Sequence, residues 1–438
     1  WWPTFFPGLM ILITVLCLNV LSEGLTDALA SPKVKPARDV EDEEAELRRA
    51  AAPTGPAATD AHDADVPTTS ASSETPDQPG QTSAVRTLGV TDEASASRIL
   101  TESLERLRTA ELERGDRLVY PAAADTAPLL SVEHLSIAFP AAHGEVDIVD
   151  DVSFSVRPGE VMGLVGESGC GKSITSLAVM GLLPETARVR GRIMFDGDDL
   201  LTLSAKRRGA LRGHDMAMIY QDALSSLNPS MLIRTQMAQL IRRGGTRTAP
   251  DLLEMVGLDP QRTLKSYPHE LSGGQRQRVL IAMALTRNPR LVMADEPTTA
   301  LDVTVQEQVV GLLQELREEL GFAMVFVSHD LALVAKLAHR ITVMYAGQVV
   351  EQGTTTELLT DPRHEYTRGL LGAVLSIESE ADRLHQVPGT VPSPREFATG
   401  DRFAPRSLRP DADPDVRPHL LTLPGTTHAY ATTQGGER

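Results

Sequence analysis

Residues 161–177 read VMGLVGESGCGKSITSL, an apolar strand that runs into a glycine-rich turn and straight on into a helix. Gly166, Gly171, Lys172 and Ser173 complete the pattern G-x-x-x-x-G-K-[ST]. In such a turn the glycines let consecutive backbone amides curl round a phosphate, and the following helix points its positive end at the same place. Glu167, Ser168, Gly169 and Cys170 fill the cradle. Lys172 is then placed to neutralise the β- and γ-phosphates of a nucleotide, and the Ser173 hydroxyl to sit on Mg²⁺. An ordinary strand-to-helix turn needs neither the lysine nor the hydroxyl at these spacings, so the stretch reads as a nucleotide phosphate site.

The 438 residues imply two or three units, and 41% hydrophobic residues suffice for at least one substantial core. A net charge of -17 argues against a nucleic-acid partner. Much of the acidity is local, since Ser31 to Ala127 carries 19 acidic against 11 basic side chains. Cys17 and Cys170 are the only cysteines, one in an apolar run and one in the phosphate loop, which leaves neither a disulfide scaffold nor a cysteine metal cluster.

The run from Phe5 to Leu21 is almost uninterruptedly apolar, with Trp1 and Trp2 before it and Lys33, Lys35 and Arg38 after it. About 20 such residues cross a bilayer, with Trp at the interface and positive charge on the cytoplasmic side, so one transmembrane helix is expected within residues 1–30. The rival is a signal peptide, which Ala28-Leu29-Ala30 mimics, but no basic region precedes the run and export would strand a nucleotide site outside the cytoplasm. Residues 31–127 are rich in Ala, Pro, Ser, Thr, Asp and Glu and read as a flexible acidic tether. Within them Leu100, Leu104 and Leu107 stand at helical spacing after a Thr91/Asp92 start signal, which predicts a helix over 92–114, read as solvated in preference to its alternative, a docking helix. From Pro128 strands alternate with helices. LLSVEHLSIAF (129–139), VDIVDDVSFSV (146–156), RIMFDG (192–197), MAMIY (216–220), RLVMA (290–294) and AMVFVS (323–328) read as strands, several of them apolar throughout, as in a sheet covered on both faces. The expected fold is α/β, a mainly parallel sheet with a smaller antiparallel sheet at its start.

In LVMADEP a strand ends in Asp295, suited to bind Mg²⁺, and Glu296, suited to orient and polarise the attacking water. The stretch LSGGQRQRVLIAMAL (271–285) opens a second helix, in which Ser272 and Gln275 fit a capping box while Gly273 and Gly274 leave its amides uncovered. One phosphate loop already holds this chain's nucleotide, so a second set of donors needs another γ-phosphate. At this point the sequence resembles the nucleotide-binding domain of ABC transporters, P-loop ATPases whose LSGGQ motif closes over the ATP held by a second such domain. The resemblance implies a helical subdomain beside the sheet, ATP and Mg²⁺ as ligands, and further roles. Gln221, after MAMIY, matches the glutamine that senses Mg²⁺ and water and contacts the membrane subunit. Asp302 matches the loop that couples the two ATP sites, His329 the histidine at the γ-phosphate, and Phe139 the aromatic that stacks on adenine.

Within that family VGESGCGKS, QDALSSLNP, YPHELSGGQRQR, ADEPTTALDVTVQ and HEYTRGLL, spread over roughly 129–375, resemble the dipeptide, oligopeptide and nickel importers. Residues 386–407, QVPGTVPSPREFATGDRFAPRS, resemble their C-terminal extension. Ala223 stands where the group usually has Pro. Many relatives have a cysteine-rich tail, some with an iron–sulfur cluster, whereas Asp401 and Ser407 occupy the cysteine-like positions here, so no cluster is expected. The N-terminal apolar run resembles the last membrane helix of the permease subunit, which implies a permease end (1–30) fused through a linker (31–127) to an ATPase domain (128–375) and its extension and tail (376–438). The expected protein is the ATP-hydrolysing subunit of a peptide importer in the cytoplasmic membrane, partnered by a second ATPase domain, permease subunits and an extracellular solute-binding protein. The alternative is a soluble ABC ATPase of translation or DNA repair, which should show paired nucleotide domains or a long coiled-coil insertion. The sequence carries one domain and neither insertion.

Overall fold

The structure, a computed structural model, describes residues 93–114, 117–120, 126–299, 301–378, 387, 389–409 and 412–433. The expected membrane helix in 1–30 and residues 31–92 of the expected tether (31–127) lie outside the described residues, and none of the described helices is long and apolar enough to cross a membrane. The principal elements in chain order are α1 (Glu93–Glu113), β1 (Leu130–Ala138), β2 (Asp147–Val156), β3 (Val161–Val165), α2 (Lys172–Val179), β4 (Arg188–Phe195), β5 (Asp198–Asp199), β6 (Met216–Ile219), α3 (Ile233–Ile241), α4 (Ala249–Met255), α5 (Gly273–Ala284), β7 (Leu291–Asp295), α6 (Val303–Leu320), β8 (Ala323–Ser328), α7 (Leu331–Leu337), β9 (Arg340–Tyr345), β10 (Gln348–Thr354), α8 (Thr355–Thr360), α9 (Glu365–Glu378), β11 (His419–Thr422) and β12 (Ala429–Thr432).

Two sheets organise these elements. The larger runs β11-β12-β10-β9-β3-β8-β7-β6, and the smaller β2-β1-β4-β5. From β9 to β6 every pairing in the larger sheet is parallel, whereas the smaller sheet is antiparallel. The apolar runs of β3, β7 and β8 are buried along their whole length because both faces are covered. Their side chains divide by alternation. Val161 and Val165 of β3 join the core built with the helices, together with Met324 and Phe326 of β8. Met162 and Leu164 join the core shared with the antiparallel sheet, beside Leu130, Leu135, Ile137 and Ile193. On the helical side Met237, Leu253 and Val279 bring α3, α4 and α5 into the same core.

Two features depart from the sequence reading. The helix expected to be solvated is packed: Leu104 and Leu107 of α1 lie against the main core, Ser103 and Glu111 are buried, and the helix rests on α8 and α9. Beyond it Arg117 pairs with Glu111 and donates to the carbonyl of Ala335, and the Tyr120 hydroxyl donates to the Pro158 carbonyl at 2.6 Å. A stripe of three leucines is narrow for a buried helix, and the groups that complete its seat come from residues some two hundred positions away, so periodicity alone reads it as solvent-facing. The second departure is the hairpin β11–β12, which adds two strands to the main sheet through Glu351↔Tyr430 and Gln352↔Ala429. Each of its strands is only four residues long, too short for alternation to show.

Replacing Leu104 and Leu107 together by alanine removes half-buried methylenes worth about 2 kcal/mol in total. The expected outcome is faster amide hydrogen exchange across 93–113 with exchange of β3, β7 and β8 unchanged. Undiminished protection of the helix would contradict its seating.

Candidate active site

The strands β3, β8, β7 and β6 are neighbours and parallel, so their carboxyl ends line one edge of the sheet. The phosphate loop, His329, Glu296 and Gln221 follow those ends directly, which is where open α/β sheets present groups to a ligand.

The loop is shaped by close approach. A Cβ at Gly166 would stand 2.1 Å from the carbonyl oxygen of Met344 and 2.8 Å from Cys170 Sγ. Gly171, the residue before α2, takes the left-handed conformation at φ 93°, which glycine adopts without steric cost. Lys172 opens α2 and is only 3% exposed; its ammonium donates to the carbonyls of Gly166 at 2.7 Å and Glu167 at 3.0 Å, and lies 3.8 Å from Glu296 Oε1. The first amides of α2 have no intrahelical acceptor, so the loop and helix start together form a cationic cradle.

Ser173 Oγ donates to Asp295 Oδ1 at 3.0 Å, and burial pushes the Asp295 carboxyl above the usual carboxylate range against that bond. Glu296 sits in the left-handed region at φ 45°, a conformation that costs a non-glycine residue roughly 1–3 kcal/mol. Its amide donates to the carbonyl of Val327 at 3.0 Å. Glu296 Oε2 accepts from Thr299 Oγ1 at 2.9 Å and Gln221 Nε2 at 3.2 Å, and His329 Nδ1 is 3.4 Å away. The contact with His329, then Thr299 and Lys172, holds the Glu296 carboxyl down to about 2 in spite of its burial, and the same contact raises His329. Glu296 is therefore ionised at neutral pH. Its charged carboxylate is suited to orient and polarise a water.

Six of the expected residues thus meet at one edge: Lys172, Ser173, Asp295, Glu296, Gln221 and His329. Residues 166–171 form the loop at the same edge, and the remaining expected residues lie elsewhere. Ser272 caps α5 in a reciprocal box, its hydroxyl accepting from the Gln275 amide at 3.2 Å while Gln275 Oε1 accepts from the Ser272 amide at 3.0 Å. Gly273 and Gly274 press on the start of α6, where a Cβ at Gly274 would come within 2.6 Å of Val305 Cγ1. The glycines therefore serve packing as well as exposing amides. Asp302 caps α6, its carboxylate accepting from the Val305 amide at 3.0 Å. Phe139 follows β1 directly, half-buried against the core that also takes Cys170. Asp401 Oδ1 accepts from the Phe403 amide at 2.8 Å, and the Ser407 hydroxyl bonds the Glu365 carboxylate.

Sequence reasoning missed Thr299, and it missed Tyr366, whose hydroxyl accepts from the Glu167 amide at 2.7 Å. No spacing ties a residue in α9 to a loop 199 positions earlier. A hydroxyl, a carboxylate and an amide oxygen from Ser173, Asp295 and Gln221 are hard donors of the kind Mg²⁺ takes. Among the described residues no group of three or more His, Cys, Asp or Glu side chains forms a metal cage.

Residues 149–299 match the ABC transporter family, and residues 350–409 match the oligopeptide/dipeptide transporter C-terminal region. The chain is 47% identical over 287 residues to the dipeptide transport ATP-binding protein DppD of Escherichia coli, covering 64% of this chain and 88% of the relative. The chain belongs to this family of ABC transporter ATP-binding proteins. It is also 45% identical over 290 residues to the oligopeptide transport ATP-binding protein OppD of Bacillus subtilis, covering 64% of this chain and 81% of the relative. A putative peptide import ATP-binding protein of Brucella abortus matches at 45% over 290 residues, with 64% and 87% covered. These are ABC transporter proteins of the peptide-importer group, not of the translation and repair ATPases weighed as the alternative.

Replacing Glu296 by glutamine is expected to leave nucleotide binding intact and to lower turnover on the order of 10²–10⁴-fold, the usual worth of a positioned acid–base group. Lys172→Ala should weaken ATP binding by roughly 10- to 100-fold, the worth of a charged hydrogen bond. Steady-state ATPase assays and nucleotide titration check both; undiminished hydrolysis in Glu296→Gln would refute the role given to it.

Proposed function

We propose that this chain is the ATP-hydrolysing subunit of an ABC importer, acting on the cytoplasmic side of the membrane to power uptake of di- or oligopeptides or a related solute, nickel included. The observation that carries the reading is the meeting of Lys172, Ser173, Asp295, Glu296, Gln221 and His329 at one sheet edge, in a chain whose curated relatives are named for peptide transport. In this reading the amides of residues 166–173 and the Lys172 ammonium bind the phosphates of ATP, and Phe139 packs on the adenine. Ser173, Asp295 and Gln221 hold Mg²⁺, which when bound offsets the negative charge that builds on the phosphoryl oxygens. Glu296 aligns the attacking water. Thr299 and Gln221 fix its Oε2, and His329, held beside that carboxylate, turns its ring towards the γ-phosphate position.

The exposed Ser272 and the helix start at Gly273, Gly274 and Gln275 offer a second set of donors to the nucleotide of a partner ATPase domain. Asp302, in the turn packed beneath that helix start, joins the two sites. The remaining partners are permease subunits and an extracellular solute-binding protein. Residues 1–30 supply the last membrane helix of a permease, and residues 31–92 tether it to α1. Reconstituted in proteoliposomes with permease subunits, a partner ATPase and solute-binding protein, the chain should support uptake of labelled peptide that requires ATP on its own side and stops in Glu296→Gln. Uptake indifferent to both would contradict the proposal.

A further inference from the structure

The loop over Lys172 is held in place by the far end of the chain. Arg406 lies in a single helical turn, Ala404–Arg406, of the C-terminal extension. Its guanidinium grips the carboxylate of Glu167, the first residue of the loop after Gly166, with Nη1 at 2.7 Å from Oε2 and Nη2 at 3.3 Å from Oε1. The arginine is the fixed partner: its side chain is 5% exposed against 31% for Glu167. It also donates to the carbonyls of Val387 at 3.1 Å and Gly389 at 3.2 Å, and it lies over the Tyr345 ring at 5.4 Å from the centroid. Glu167 is held at its backbone as well, through the Tyr366 hydroxyl. The other end of the loop answers to the same segment. Arg402 Nη1 donates to the Ala346 carbonyl at 2.6 Å, and the next amide, Gly347, donates to the Cys170 carbonyl at 3.1 Å.

We propose that Arg406 is a positioning residue for the ATP loop, fixing Glu167 and neutralising its carboxylate so that the loop can receive polyphosphate. A carboxylate at the rim of a phosphate cradle repels the ligand the cradle is built for, unless a cation holds and cancels it. Arg406 does both, because a two-pronged guanidinium fixes direction as well as charge. Residues of the extension, more than two hundred positions from the loop, thereby set the affinity of the ATP site. The inference rests on the ATP-binding reading of that site.

The test is titration of the full chain with a non-hydrolysable MgATP analogue, alongside ATPase kinetics and thermal melts. Arg406→Ala should raise Kd about tenfold, equivalent to 1.4 kcal/mol. KM should rise with it while kcat changes by less than about threefold, since the residue touches no reacting atom. Arg406→Lys should recover part of the affinity, and adding Glu167→Gln to Arg406→Ala should recover most of it by removing the unpaired charge. Arg406→Gln, which keeps donors for Val387 and Gly389, gives the same readout if the alanine variant does not fold. An anchor of the extension and nothing more would lower the melting temperature but leave Kd unchanged and gain nothing from Glu167→Gln; that result overturns the proposal. Failure of the unaltered chain to bind the analogue would instead strike the ATP reading, and this proposal with it.

Discussion

The site turns on a buried ammonium. Lys172 is almost wholly removed from water, and its charge is met by two loop carbonyls and by Glu296 at 3.8 Å. A buried charge left without its partner costs about 3–5 kcal/mol, so the loop after β3 and the carboxylates after β7 have to arrive together. The parallel sheet makes this possible, with β8 between β3 and β7 and all three ending on the same side. The left-handed backbone at Glu296 follows from the same demand. It turns the carboxylate back towards Lys172, His329 and Gln221 instead of along the strand.

How much of this could be read in advance depended on whether a residue's partners were local. The phosphate loop, the Asp295–Glu296 strand end and the Ser272–Gln275 capping box are signals confined to a few consecutive residues, each carrying its own chemistry. The all-apolar strands announced a doubly covered sheet for the same reason. That α1 docks could only be an alternative to a solvated helix, because its seat is made by the Arg117 contact with Ala335 and by α8 and α9. The reason for Gly274, whose missing side chain leaves room for Val305, was not legible. Tyr366 and Arg406 read as one more aromatic in a helix and one more arginine in a polar tail until the fold sets them against Glu167.

Two segments outside the sheet core therefore bear on the site. Arg117, just beyond α1, donates to α7, the helix that begins two residues after His329. The extension reaches the other side through Arg402 and Arg406, and its Asp150 bonds, from Arg402 at 3.2 Å and Arg417 at 2.6 Å, tie it also to the antiparallel sheet. Hydrogen bonds of Asp401 to the Phe403 amide and of Ser407 to the Glu365 carboxylate hold the turn that carries Arg402 and Arg406. The extension thus belongs to the structure of the nucleotide site.

The central claim is that the loop at Lys172 is half of a site and the helix start at Ser272 the half of another. Sedimentation equilibrium of the Glu296→Gln chain, with its partner ATPase subunit if it has one, measures this with and without MgATP. The account predicts association that requires MgATP and that is lost in Ser272→Asp, which keeps a capping side chain at the exposed start of α5 but sets a carboxylate facing the partner's γ-phosphate. A chain that binds MgATP yet stays monomeric at every concentration, alone and with that subunit, would contradict it.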